Sequence, residues 1–285
     1  MDRLGRGVQA VSMIPDDAEL LKMYDADMAF RNLQPTTRAV RARYLAKYSR
    51  EVGITTATEQ KIVAWLGRDS LGAKSRSMWI STINSLYTWI NHNHLFKDTE
   101  MGDGWNPVVD IGKPRLHPRS PRPMPHDDLT RAIKMADERM KTWLLLGSLA
   151  GLRCMEIAGL LREDIFEDSM TLHIIGKGDK ERFLPLHPDT LAALHKWGMP
   201  DEGRLWGNET AASVSRKLNR FLHGVVGTKS TAHTRRHFFG PRAYSQSQDL
   251  RATQELMGHA SPQTTAGYAA HDTSKAAGIV NAITI

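Results

Sequence analysis

The sequence predicts a mainly α-helical protein of two domains, with one small antiparallel sheet in the second. Three observations carry this. Apolar residues recur at helical spacing through most of the 285 residues. A stretch at 113–123 holds four prolines and four basic residues with no acidic one, and that proline density forbids regular structure. Only around "GKGDK" do short β-prone runs flank a glycine-assisted turn, which reads as a hairpin. The expected organisation is a helical domain over 14–112, a basic linker over 113–123, and a second domain over 124–285 that ends in an apolar tail.

In the first domain, "TTRAVRARYLAKYSREVG" sets Val40, Tyr44 and Tyr48 on one stripe, with Arg38, Arg41, Arg43, Lys47 and Arg50 around it. "KSRSMWISTINSLYTWINHNHLF" repeats the device, with Trp79, Ile80, Ile83, Leu86, Tyr87 and Ile90 inside. Lys74 and Arg76 stand at the start of that helix, where amides and cations both favour phosphate; from this stretch alone a solvated helix end is the better reading. The linker's Lys113, Arg115, Arg119 and Arg122 either follow a phosphate backbone or simply keep a tether soluble. After it come two helices, the second beginning near Met140, then the hairpin, then helical patterns at 189–197, 210–223, 231–246 and 249–258.

A net charge of +7 favours a polyanionic partner, nucleic acid before a membrane surface. No apolar run approaches a bilayer span, and the first residues lack a signal-type segment. A lone cysteine, Cys154, excludes an internal disulfide framework and suits a reducing cytosol, so a cytoplasmic protein is expected. "GKGDKERF" and "GTKS" miss the phosphate-loop spacing, "NHNH" lacks the partners of a metal site, and no "G-x-S-x-G" elbow occurs. Neither a metal nor a cofactor is expected.

Four patches remain. "AGLRCMEIAGLL" places Arg153 and Glu156 three apart, on one helical face. "GKGDKER" presents Lys177 at a hairpin tip, and "HTRRH" again sets a pair, His233 and Arg236, three apart. "LMGHASPQTTAGYAAH" carries His259 nine residues ahead of Tyr268. Each alone has a structural explanation: a buried ion pair, a solvated turn, surface decoration, a core tyrosine. Their order and combination do not.

That combination resembles the tyrosine recombinase, or phage integrase, family. The family's Arg, hairpin Lys, His-x-x-Arg, His and Tyr stand here as Arg153, Lys177, His233, Arg236, His259 and Tyr268. The resemblance covers the second domain from about Pro123 to Tyr268, and the first domain looks like the family's core-binding domain. Two departures stand out. Arg235 occupies the place of the usual leucine, so that helix packs or contacts DNA differently; His271 lies three residues past Tyr268 instead of two. The short stretch before the first helices leaves no room for an arm-binding domain, which points to the simple form of the family.

The resemblance implies two domains closing as a C-shaped clamp on double-stranded DNA attachment or core sites. It implies a monomer when free, a homotetramer in synapsis, and a Holliday-junction intermediate. An accessory DNA-bending or directionality factor would be compatible. Arg153 and Arg236 would hold the nonbridging phosphate oxygens, Tyr268 would attack, His233 would take its proton, Lys177 would protonate the leaving 5′-oxygen, and His259 would bind the phosphate. Glu156 and His237 are assigned to holding the site together, and Arg41, Lys74, Arg76 and the four linker cations to DNA. Ile279, Val280 and Ile283 in the tail would dock on a neighbouring subunit or on their own domain. The function expected is integration and excision through a 3′-phosphotyrosine. A Xer-type resolvase, a transposon or integron recombinase, and a non-catalytic DNA-binding regulator of the same fold are the alternatives.

Overall fold

The computed structural model describes residues 15–116, 122–176 and 180–258. The chain divides into two compact units, residues 1–118 and 119–285. In the first unit the helices are α1 (Asp17–Phe30), α2 (Pro35–Glu51), α3 (Glu59–Leu66) and α4 (Ala73–His92). Their starts follow from local chemistry. Asp16 and Thr58 accept the amides of Glu19 and Lys61, and proline opens α2 where its missing N–H costs nothing.

The core of this unit is aromatic. Leu20, Tyr24, Met28, Leu45, Tyr48, Ile62, Ile83, Leu86 and Tyr87 are buried. Burying two phenols requires partners: the Tyr48 and Tyr87 hydroxyls lie 2.9 Å apart, and Tyr87 donates to the Ile54 carbonyl at 2.7 Å. Val40, expected on the inward stripe of α2, is instead exposed. Leu45 and Tyr48 centre that stripe, and Val40 sits roughly 140° around the helix from Leu45.

The second unit holds α5 (His126–Met135), α6 (Glu138–Leu149), α7 (Cys154–Gly159), a single 3₁₀ turn (Arg162–Asp164), and strands β1 (Ile165–Phe166), β2 (Thr171–Ile175) and β3 (Glu181–Pro185). Helices α8 (Pro188–Trp197), α9 (Ala211–Val226), α10 (Ala232–Ser247) and α11 (Leu250–Met257) follow. Helix α6 buries every residue from Thr142 to Ser148, as a helix surrounded by protein must, and packs against α8 and α10. The predicted hairpin is the β2–β3 pair, and β1 adds a third antiparallel strand in the order β1-β2-β3. Pairing of Leu172 with Leu184 and of Ile174 with Arg182 sets one face inward; the exposed Phe183 lies opposite His173 on the other. No described helix is long and apolar enough to cross a membrane.

Candidate active site

Arg153 is not on a helical face, as its spacing to Glu156 suggested. It is the N-cap of α7, with extended backbone (φ −75°, ψ 157°). Glu156, in the first turn, reaches back so that Oε2 accepts the Arg153 backbone N–H at 2.7 Å while Oε1 accepts Arg153 Nη1 at 2.9 Å. Nη2 donates to the carbonyl of Gly258 at 3.1 Å, just past the end of α11. Three residues of spacing thus produce a capping arrangement, in which Glu156 holds both the backbone and the guanidinium of Arg153. Its side chain is 31% exposed, whereas that of Glu156 is fully buried.

Arg236 comes from the first turns of α10 and is buried. Its Nη1 and Nη2 donate to the carbonyls of Gly151 and Met257, and Nη1 also lies 3.7 Å from Glu156 Oε2. Two guanidiniums that stand 83 positions apart in the sequence (236 − 153) therefore meet one carboxylate and the same end of α11. His233 is exposed on the same helix, its ring 4.4 Å from that of His237 and nearly perpendicular to it (80°).

A third cation joins them that the sequence reading missed. Arg182 of β3 donates Nη1 to Glu156 Oε1 at 3.0 Å. The available signal was strand alternation: Arg182 shares the inward face with Leu184, and an inward arginine needs an anion. Burial alone would raise the Glu156 pKa. The hydrogen bond and charge of Arg182, then the amide and charge of Arg153, outweigh it and hold the carboxyl below its ordinary range. His237 is pushed down to about 4 by burial, then by His233 and Arg236, so it is neutral at physiological pH.

Arg235, which stands where the family usually has leucine, turns into the core. Its side chain is fully buried, donating to the carbonyls of Trp143 and, at 3.5 Å, Leu152. It lies so close over α6 that a Cβ at position 147 would collide with the guanidinium, so Gly147 is required there. Desolvation pushes its pKa down to about 10.

Among the residues assigned to DNA, Lys74, Lys113, Arg115 and Arg122 are exposed. Arg41 donates to the Tyr24 hydroxyl at 3.2 Å, and Arg76 to the Arg68 carbonyl at 3.1 Å. Arg119, Lys177, His259, Tyr268 and His271, and the tail with Ile279, Val280 and Ile283, lie outside the described residues. No cluster of metal-ligating side chains occurs among the described residues.

A model of the phage integrase family matches residues 122–275, more than half of the chain. The chain belongs to the phage integrase family. Members of this family, the tyrosine recombinases, are DNA breaking-and-rejoining enzymes. Curated relatives include tyrosine recombinase XerC of Rhodospirillum centenum, 29% identical over 72% of this chain and 65% of that protein. XerC of Chromobacterium violaceum is also 29% identical, over 80% of this chain and 79% of its own length. The match thus spans just under two thirds of the first of these relatives and more of the second. The fold is that of a lambda integrase dimer bound to a COC′ core site (TM-score 0.69, 17% identity, 88% of this chain and 94% of that one). It is also that of the XerH site-specific recombinase bound to a palindromic difH substrate (TM-score 0.67, 19% identity, 93% and 84%).

Proposed function

We propose that this member of the phage integrase family is a site-specific recombinase of the phage integrase type, serving integration and excision. The observation that carries the reading is the convergence of Arg153 and Arg236 on Glu156, inside a chain whose family box continues in order to Tyr268. Two planar cations fixed beside one carboxylate suit a phosphodiester, whose charge grows in the transition state.

In this reading the Tyr268 Oη attacks phosphorus, forming a P–O bond to the enzyme while the P–O5′ bond breaks. The phenolic proton passes to His233, and Lys177 Nζ supplies one to the departing 5′-oxygen. His259 donates to the phosphate, while Arg153 and Arg236 hold its nonbridging oxygens. His237, neutral beside His233, adds no charge that would compete for that proton. A 5′-hydroxyl of a second duplex then attacks the 3′-phosphotyrosine, and tyrosine leaves; the bond energy is conserved without a nucleotide cofactor. Residues 14–112 would act as the core-binding domain, 113–123 as a linker carrying Lys113, Arg115, Arg119 and Arg122 past the DNA, and 124–285 as the catalytic domain. The complexes of lambda integrase with a COC′ core site and of XerH with a difH substrate support a DNA-bound assembly, and we extend this to a tetramer in synapsis in a bacterial cytoplasm.

The XerC names of the curated relatives favour a second reading, a Xer-type resolvase. The test uses the recombination site recovered from a random duplex pool by repeated selection for bound DNA. On a nicked suicide duplex of that site the unmutated protein forms a covalent adduct and Tyr268→Phe forms none, although both bind. An adduct with Tyr268→Phe removes Tyr268 as nucleophile, and none with the unmutated protein favours a non-catalytic DNA-binding role. Joining of two unlike sites supports integration; resolution of repeated identical sites with no such joining supports the Xer-type reading.

A further inference from the structure

Arg182 is used by none of these steps. It shares Glu156 Oε1 with Arg153, at 3.0 Å and 2.9 Å respectively. Its other donors, Nε and Nη2, are buried and have no hydrogen-bond partner among the described residues. A Cβ at Gly258 would stand 2.9 Å from Arg182 Nη1, and one at Gly176 would stand 3.3 Å away. The guanidinium is therefore held between the base of the hairpin and the C-cap of α11, both of which adjoin the site.

Such an arrangement is costly for the folded state alone. Two unmet N–H groups on a desolvated cation are unfavourable, and one cation suffices to balance a buried carboxylate. Here three guanidiniums, of Arg153, Arg182 and Arg236, face the single charge of Glu156, leaving two positive charges over within this cluster (3 − 1). That excess is relieved by an arriving anion. Its Nε and Nη2 are buried and its Nη1 is engaged by Glu156 Oε1, so Arg182 acts through charge and through Glu156.

We propose that Arg182 is a positioning residue for DNA cleavage: by sharing Glu156 it fixes Arg153, and its charge raises the positive potential at the scissile phosphate without touching DNA. This rests on the recombinase reading above. Removing it weakens stabilisation of the doubly charged phosphorane more than binding of the singly charged diester.

The experiment compares the unmutated protein, Arg182→Gln and Arg182→Lys on the nicked suicide duplex in two forms. One has the ordinary scissile phosphodiester, the other a methylphosphonate, in which a methyl group replaces a nonbridging oxygen and removes its charge. Arg182→Gln is expected to bind both normally. On the diester it forms adduct about tenfold or more slowly, a loss that shrinks to within about threefold on the methylphosphonate. Arg182→Lys, which keeps the charge, is expected within about threefold on both, and it carries the test if the glutamine variant fails to fold. A deficit of Arg182→Gln that is equal on the two substrates or absent on the diester, or a loss of more than about threefold in Arg182→Lys, overturns the proposal. Absence of adduct with the unmutated protein would instead overturn the recombinase reading.

Discussion

Glu156 grips Arg153 twice, its Oε2 on the backbone N–H at 2.7 Å and its Oε1 on the guanidinium at 2.9 Å. One side chain therefore caps α7 and orients a cation that the cap itself carries. Glu156→Ala leaves buried cations unpaired and is expected to cost about 3–5 kcal/mol of folding stability. Glu156→Gln keeps an acceptor for the amide and is expected to lose less. Denaturant unfolding followed by tryptophan fluorescence compares the two, and equal losses would mean that the cap acceptor contributes nothing beyond the charge of Glu156.

Arg235 and Gly147 form a second pair, defined by space instead of charge. Gly147→Ala drives a methyl group into the Arg235 guanidinium and is expected to cost about 1–3 kcal/mol. Arg235→Leu removes a desolvated cation with an unpartnered Nε and is expected to fold within about 1 kcal/mol of the parent, or more stably. In the double variant the alanine should cost far less. Additive melting shifts in this cycle would show that the two positions do not touch.

His237 makes stability depend on pH. Its folded-state pKa, about 4, lies below the ordinary 6.5, so between these values the unfolded chain binds the extra proton. The stability it confers is present above pH 6.5 and is lost as pH falls towards 4. His237→Gln should flatten the melting temperature over that window relative to the parent. An unchanged slope in the variant would assign the acid sensitivity to other groups.

Lys177 as general acid has a chemical signature. Lys177→Ala should slow adduct formation on the ordinary suicide duplex by about 10²–10⁴-fold. A 5′-thio leaving group needs little protonation, so with that duplex the variant should approach the parent rate. Failure of the sulfur to restore the rate would remove Lys177 from this role.

Much of this was legible in the amino-acid order. Helical spacing located α4 and the later helices, and the alternation around "GKGDK" located β2 and β3. Arg153 and Glu156 were legible as partners because three residues bring side chains together in a first helical turn as well as along a helical face. Their geometry was not: the same spacing serves a helix interior and a cap, and only the extended backbone at Arg153 separates the two.

The sequence by itself determined the family's ordered residues, the helical character of the chain and the excess of positive charge, since each is a property of spacing or composition. Tertiary structure alone decided that Arg182 joins Arg153 and Arg236 on one carboxylate, and that Arg235 turns into the core against Gly147. The physical reason is that a guanidinium is satisfied by whichever acceptors lie in reach. Here they are carbonyls and a carboxylate at positions 143, 151, 152, 156, 257 and 258, brought together only when α6, α7, α10, α11 and β3 have packed.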